Sequence, residues 1–164
     1  MNQSNQKKVQ LLIKLYNSNK FNEVENIILD LVNKRQNNLF LNNMLGLALA
    51  RQNKLEAASK IYAKMVKNNP KNSEIHNNYG LVLQKQIKFD LAIINYENAI
   101  KLNPKYVEAY FNLGNVQGLK KNYVKSIENY KKAISIKPNY IKSYINLGNI
   151  LHKLGRLEES INIF

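Results

Sequence analysis

Apolar positions along this chain recur at three- and four-residue steps within stretches of about a dozen residues, and short polar breaks interrupt them at regular places. In the stretch beginning at Val107, the positions Val107, Tyr110, Leu113, Gly114 and Gln117 share one face of a helix. The breaks are Gln52-Asn53-Lys54, Gln86-Ile87-Lys88, Lys120-Lys121-Asn122 and Leu154-Gly155-Arg156. A second amphipathic stretch follows each break and runs to about Asn68, Leu102 or Ile136. The pattern predicts antiparallel helix pairs joined by short turns.

The pairs are copies of one another. Pro70, Pro104 and Pro138 stand 34 residues apart, and Gly46, Gly80, Gly114 and Gly148 keep the same interval. A fixed period of this length marks a repeat architecture. Copies fall at 39–72, 73–106, 107–140 and 141–164, the last cut short. Residues 1–6 are expected to form a flexible N-terminus, and 7–38 a degenerate first copy or cap. In that copy Leu11, Leu12, Phe21, Val24, Ile28 and Leu31 fit the register without its glycine and proline. Proline has no N–H and turns its preceding residue away from helix, so each proline should end one pair. Ser73 is the expected N-cap of the helix that follows. A glycine inside a helix costs about 1 kcal/mol relative to alanine, so its recurrence calls for close helix approach. The small residues Ala58, Ala92, Ser126 and Ser160 should face the glycines. One turn later Tyr62, Tyr96, Tyr130 and Phe164 should fill the space beside them as core.

The residues Leu45-Gly46, Ala58, Tyr62 and Pro70 resemble the tetratricopeptide repeat motif. So do Tyr79-Gly80, Ala92, Tyr96, Ala99, Pro104 and Leu113-Gly114, Ser126, Tyr130, Ala133, Pro138. The usual early tryptophan is replaced by Asn42, His76, Tyr110 and Tyr144. The resemblance implies an all-α, right-handed superhelical solenoid of antiparallel helix pairs. It also implies that the first helices line a concave groove holding an extended peptide or protein segment. At groove positions of the family, Asn78, Asn112 and Asn146 form one column and Asn115 and Asn149 a second; Asn43 and Asn77 occupy a third groove register with Phe111 and Ile145. An amide both donates and accepts hydrogen bonds, so it can hold a peptide backbone without selecting side chains. With 28 Asn among 164 residues, chance would place a matching triple about 0.2 times in the registers of one repeat. This amide-lined pattern is similar to that of O-linked N-acetylglucosamine transferases. The subfamily that clamps chaperone C-termini places lysine where Asn43, Asn77, Phe111 and Ile145 stand, so that reading is not favoured.

Charge modifies this picture only slightly. The net charge is +14, and 22 of the 25 basic residues are Lys, a residue favoured by A/T-rich codons along with Asn, Ile and Tyr. Arginine, which suits bidentate phosphate and base recognition, is scarce. Most lysines fall in turns or second helices, so nucleic acid is not the expected partner. Arg51, Lys85 and Lys153, at the ends of first helices, form a basic edge and the main candidate for anion contact. There are no cysteines, and of two histidines His76 holds a core-type register and His152 a groove-type one. With no catalytic or phosphate-binding motif, the reading assigns this chain no catalytic residue, cofactor or metal. No apolar run is long enough for a membrane span, and a cytoplasmic location is expected. The interrupted last copy leads to the expectation of a longer protein. A second reading makes the chain the substrate-recruiting region of a glycosyltransferase or sulfotransferase.

Overall fold

The computed structural model describes residues 3–33 and 38–163, all of whose regular elements are helices. Two compact units are present, Met1–Pro70 and Lys71–Phe164. The first contains α1 (Gln3–Asn17), α2 (Phe21–Asn33), α3 (Leu39–Arg51) and α4 (Leu55–Asn68). The second contains α5 (Ser73–Lys85), α6 (Phe89–Leu102), α7 (Val107–Leu119), α8 (Tyr123–Ile136), α9 (Ile141–Lys153) and the short α10 (Leu157–Ile161). Within the second unit each first helix packs on its own second helix, and α7 also touches α5 and α9. The second helices of the complete copies end where the apolar pattern ends.

Glycine and tyrosine interlock in every complete pair. A β-carbon at Gly46 would lie 2.6 Å from the Tyr62 ring, at Gly80 2.6 Å from Tyr96, and at Gly114 2.7 Å from Tyr130. These separations are too short for any real side chain, so the ring occupies the space that glycine vacates. Ala58 and Ala92 are fully buried beside these contacts. The serines at the same register also bond: Ser126 Oγ donates to the Gly114 carbonyl at 2.7 Å and Ser160 Oγ to that of Gly148 at 3.1 Å. Phe164, the expected ring of the last pair, lies outside the described residues.

The turn geometry extends the period beyond the glycines. Left-handed backbone recurs at Asn19, Asn53, Ile87, Lys121 and Gly155, with φ between 58° and 72°. Each follows a first helix, where the chain reverses with an αL residue just past the C-cap. Asn19 brings α1 and α2 into the same scheme. In that pair Leu12, Val24 and Ile28 replace glycine, alanine and tyrosine, and all are fully buried. Larger side chains on two sides offset the missing ring, a volume-conserving solution to the same packing problem.

α1 begins at Gln3, within the six residues expected as a lead. Two expectations need correction. Leu11 is exposed, and Leu12 alone of that pair enters the core. The N-cap of α5 is Asn72, whose Oδ1 accepts from the Ile75 N–H at 3.1 Å, so Ser73 is the first helical residue. Asn38 caps α3 in the same way, at 2.9 Å. Asparagine is at least as good as serine in this role. The prolines act as expected. The residues before them, Asn69, Asn103 and Lys137, leave the helical region with ψ of 61°, 91° and 91°.

Candidate functional site

The first-helix asparagines of the second unit divide into two groups. Asn77, Asn78 and Asn112 are at most 8% exposed. Asn112 Nδ2 donates to Asn77 Oδ1 at 3.0 Å, which joins α7 to α5. Asn77 Nδ2 in turn lies 3.4 Å from Asn78 Oδ1. A buried amide must find partners, and these bonds supply some of them. Expected as open groove contacts, they form a seam between consecutive first helices.

Asn115, Asn146 and Asn149 remain accessible and line a cavity of about 460 Å³ with Gly118, Leu119, Tyr123, Tyr130, Ile150 and Lys153. Asn146 Nδ2 donates to Asn115 Oδ1 at 2.8 Å, and the Tyr130 hydroxyl donates to the same oxygen at 2.8 Å. The Tyr130 hydroxyl reaches this oxygen because its ring is held beneath Gly114, one residue away in sequence. Burial raises the Tyr130 pKa above its ordinary value, which keeps the phenol a neutral donor. Both bonds fall on Asn115 Oδ1, so its Nδ2 keeps its two protons for other partners, while Asn146 keeps its Oδ1 as an acceptor. At the rim, the Lys153 ammonium lies 5.2 Å from the Tyr123 ring centroid, a cation–π contact.

Aromatic residues close the other end of these helices. Tyr106, just before α7, has its pKa pushed up to about 12 by burial and then by the carboxylates of Glu74 and Glu108. The Asn77 side chain hydrogen-bonds it and acts in the opposite direction. Tyr140 before α9 is raised by burial and by Glu108, and its ring meets Phe111 edge-on at 5.5 Å. Phe111, a groove-register residue by sequence, also packs 6.0 Å from Tyr130. Ile145, at the same register, is exposed.

In the first unit Asn43 is half-buried, and its Oδ1 accepts from the Tyr62 hydroxyl at 2.9 Å. Tyr96 reaches a different group, Gln84 Oε1, at 2.9 Å. A buried phenol needs a partner, so each tyrosine of the core fixes one polar side chain of its first helix. His76 is buried with Nδ1 3.2 Å from Asn95 Oδ1, as its core register requires, and His152 is exposed. Among the described residues no group of His, Cys, Asp and Glu is placed to hold a metal ion. No described helix is long and apolar enough to cross a membrane. The helical register of Tyr130 accounts for its ring but not for its hydroxyl, which reaches Asn115. The need of a buried phenol for a partner was the signal available.

The repeat geometry matches known families. Models described as tetratricopeptide repeat match residues 43–93, and as TPR repeat residues 88–121 and 119–155. The chain belongs to the tetratricopeptide repeat family. A crystal structure of MamA superposes with a TM-score of 0.79 at 26% identity, covering 92% of this chain and 88% of that one. The first TPR of Spaghetti (RPAP3), bound to the HSP90 peptide SRMEEVD, superposes with a TM-score of 0.67 at 22% identity, covering 71% and 92%. YrrB, described as a TPR protein with an unusual peptide-binding site, gives 0.70 at 22% identity, covering 79% and 66%. No protein of curated function matches the sequence significantly.

Proposed function

We propose that this protein is a non-catalytic scaffold that binds an extended peptide along the first-helix face of its second unit, through Asn115, Asn146 and Asn149. The observation that carries the reading is the oriented pair Asn115–Asn146. One amide presents donors and the other an acceptor beside an open cavity, which matches the carbonyl and N–H of a peptide backbone. Asn77, Asn78 and Asn112 serve this face indirectly by holding α5 and α7 in register. Asn43, at the third groove register, is the candidate contact in the first unit. Peptide binding by RPAP3, and the peptide-binding site named for YrrB, support the same use of the fold. The amide-lined face is also what the likeness to O-linked N-acetylglucosamine transferases implies.

A panel of random-sequence decapeptides, titrated by fluorescence anisotropy, tests the reading. Binding should weaken when Asn115 and Asn149 are both replaced by alanine. Equal affinity of the variant and the parent would remove these amides from the site.

A further inference from the structure

The cavity beside α7 and α9 holds polar groups that the amide pair does not use. Lys153 and Asn149 stand four residues apart on one face of α9, and both line it. Among the described residues Lys153 has no ion-pair partner and the Asn149 side chain no hydrogen bond. No carboxylate lines the cavity. The first turn of α8, which contributes Tyr123, has no acidic residue. Of the carboxylates just downstream, Glu159 is engaged by Arg156 through two bonds of 2.6 and 2.7 Å. The Tyr123 ring holds the Lys153 ammonium at the rim. Leu119, which also lines the cavity, takes the register that carries Arg51 in α3 and Lys85 in α5, so at this register the cavity has a cation from α9 and none from α7.

We infer that this cavity receives the carboxylate of an acidic side chain, aspartate or glutamate, of the bound peptide. Lys153 supplies the charge, Asn149 supplies an amide donor, and Leu119 and Ile150 cover the methylenes. The inference rests on the peptide-binding reading above. A carboxylate entering here exchanges water for an ammonium and an amide, whose hydrogen bonds to it are charge-assisted. A lysine or arginine side chain would instead meet Lys153 with no anion to separate them. The site therefore selects acidic peptides by attraction and rejects basic ones by repulsion.

Pools of decapeptides with one position fixed as Glu, Gln, Lys or phosphoserine, and the rest random, provide the test at low salt. The Glu pool should bind about fivefold more tightly than the Gln pool, the range of a partly exposed ion pair, and the Lys pool more weakly than either. Lys153→Gln should abolish that preference, and Lys153→Arg should restore it. Lys125→Gln makes the same change in net charge on exposed α8 surface and should leave the preference intact. Equal binding of the Glu and Gln pools overturns the inference while leaving peptide binding standing. It is equally overturned if the preference survives in Lys153→Gln, disappears in Lys125→Gln, or is shown for phosphoserine alone. Failure of every pool to bind overturns the underlying reading as well.

Discussion

Asn146 donates to Asn115 Oδ1 at 2.8 Å, and the Tyr130 hydroxyl donates to the same oxygen at the same distance. Two consecutive first helices and the core of one pair therefore meet at a single atom. A contact of this kind has an energetic signature. Asn115→Ala and Asn146→Ala should each destabilise the fold by about 1 kcal/mol, the usual net value of a hydrogen bond. In a double-mutant cycle the two should be non-additive by about 0.5 kcal/mol or more. Urea denaturation of the four proteins measures this, and strictly additive losses would show that the amides are not coupled.

Gly114→Leu should lower the melting temperature cooperatively. Its β-carbon alone would come within 2.7 Å of the Tyr130 ring, and overpacking of this kind costs about 1–3 kcal/mol or more. The α1–α2 pair indicates the compensation. There Leu12 stands at the glycine register and Ile28 at the tyrosine register, both fully buried. Gly114→Leu combined with Tyr130→Ile should therefore recover part of the loss seen by thermal denaturation. A double variant no more stable than Gly114→Leu would show that ring and glycine do not share one space.

Ile87 is a β-branched residue with φ of 62°, and it is 74% exposed. Its counterparts in other copies are Asn19, Asn53, Lys121 and Gly155. Left-handed backbone costs a residue with a β-carbon about 1–2 kcal/mol, less for asparagine. Ile87→Asn should consequently raise stability by about 1 kcal/mol, a rare gain from removing an apolar side chain. Chemical denaturation checks the sign.

Tyr106 links stability to high pH. Its folded pKa of about 12 lies above the ordinary 10, so the folded state holds the phenolic proton more tightly. Its contribution is fully present below pH 10 and is lost as pH rises from 10 towards 12. Tyr96, Tyr130 and Tyr140 are shifted in the same direction by burial. Spectrophotometric titration should show some of the ten tyrosines ionising late in the native protein and all of them near the ordinary value in denaturant. Tyr106→Phe should reduce the alkaline loss of stability.

The parts of this molecule that repeat were readable from the chain. Glycine, alanine and tyrosine spaced for one helix face predicted the interlock at Gly46–Tyr62, Gly80–Tyr96 and Gly114–Tyr130, because one packing constraint recurs in each copy. The polar partners of the tyrosines were not readable in that way. Tyr62 reaches Asn43, Tyr96 reaches Gln84 and Tyr130 reaches Asn115, since a hydroxyl can turn to whichever amide its copy provides. Register also grouped Asn78 and Asn112 with Asn146 in a single column. Burial separates them: Asn78 and Asn112 are each 8% exposed, whereas Asn146 remains half-exposed beside the cavity. Spacing defines a face, and the packing of neighbouring helices decides how much of it stays open.

The most direct test of the account is a side-chain amide spectrum of isotope-labelled protein, recorded while the decapeptide panel is added. Shifts are expected at Asn115, Asn146 and Asn149, with Asn95 on α6 and Asn129 on α8 unmoved. Shifts confined to those second-helix asparagines, or none at saturating peptide, would contradict it.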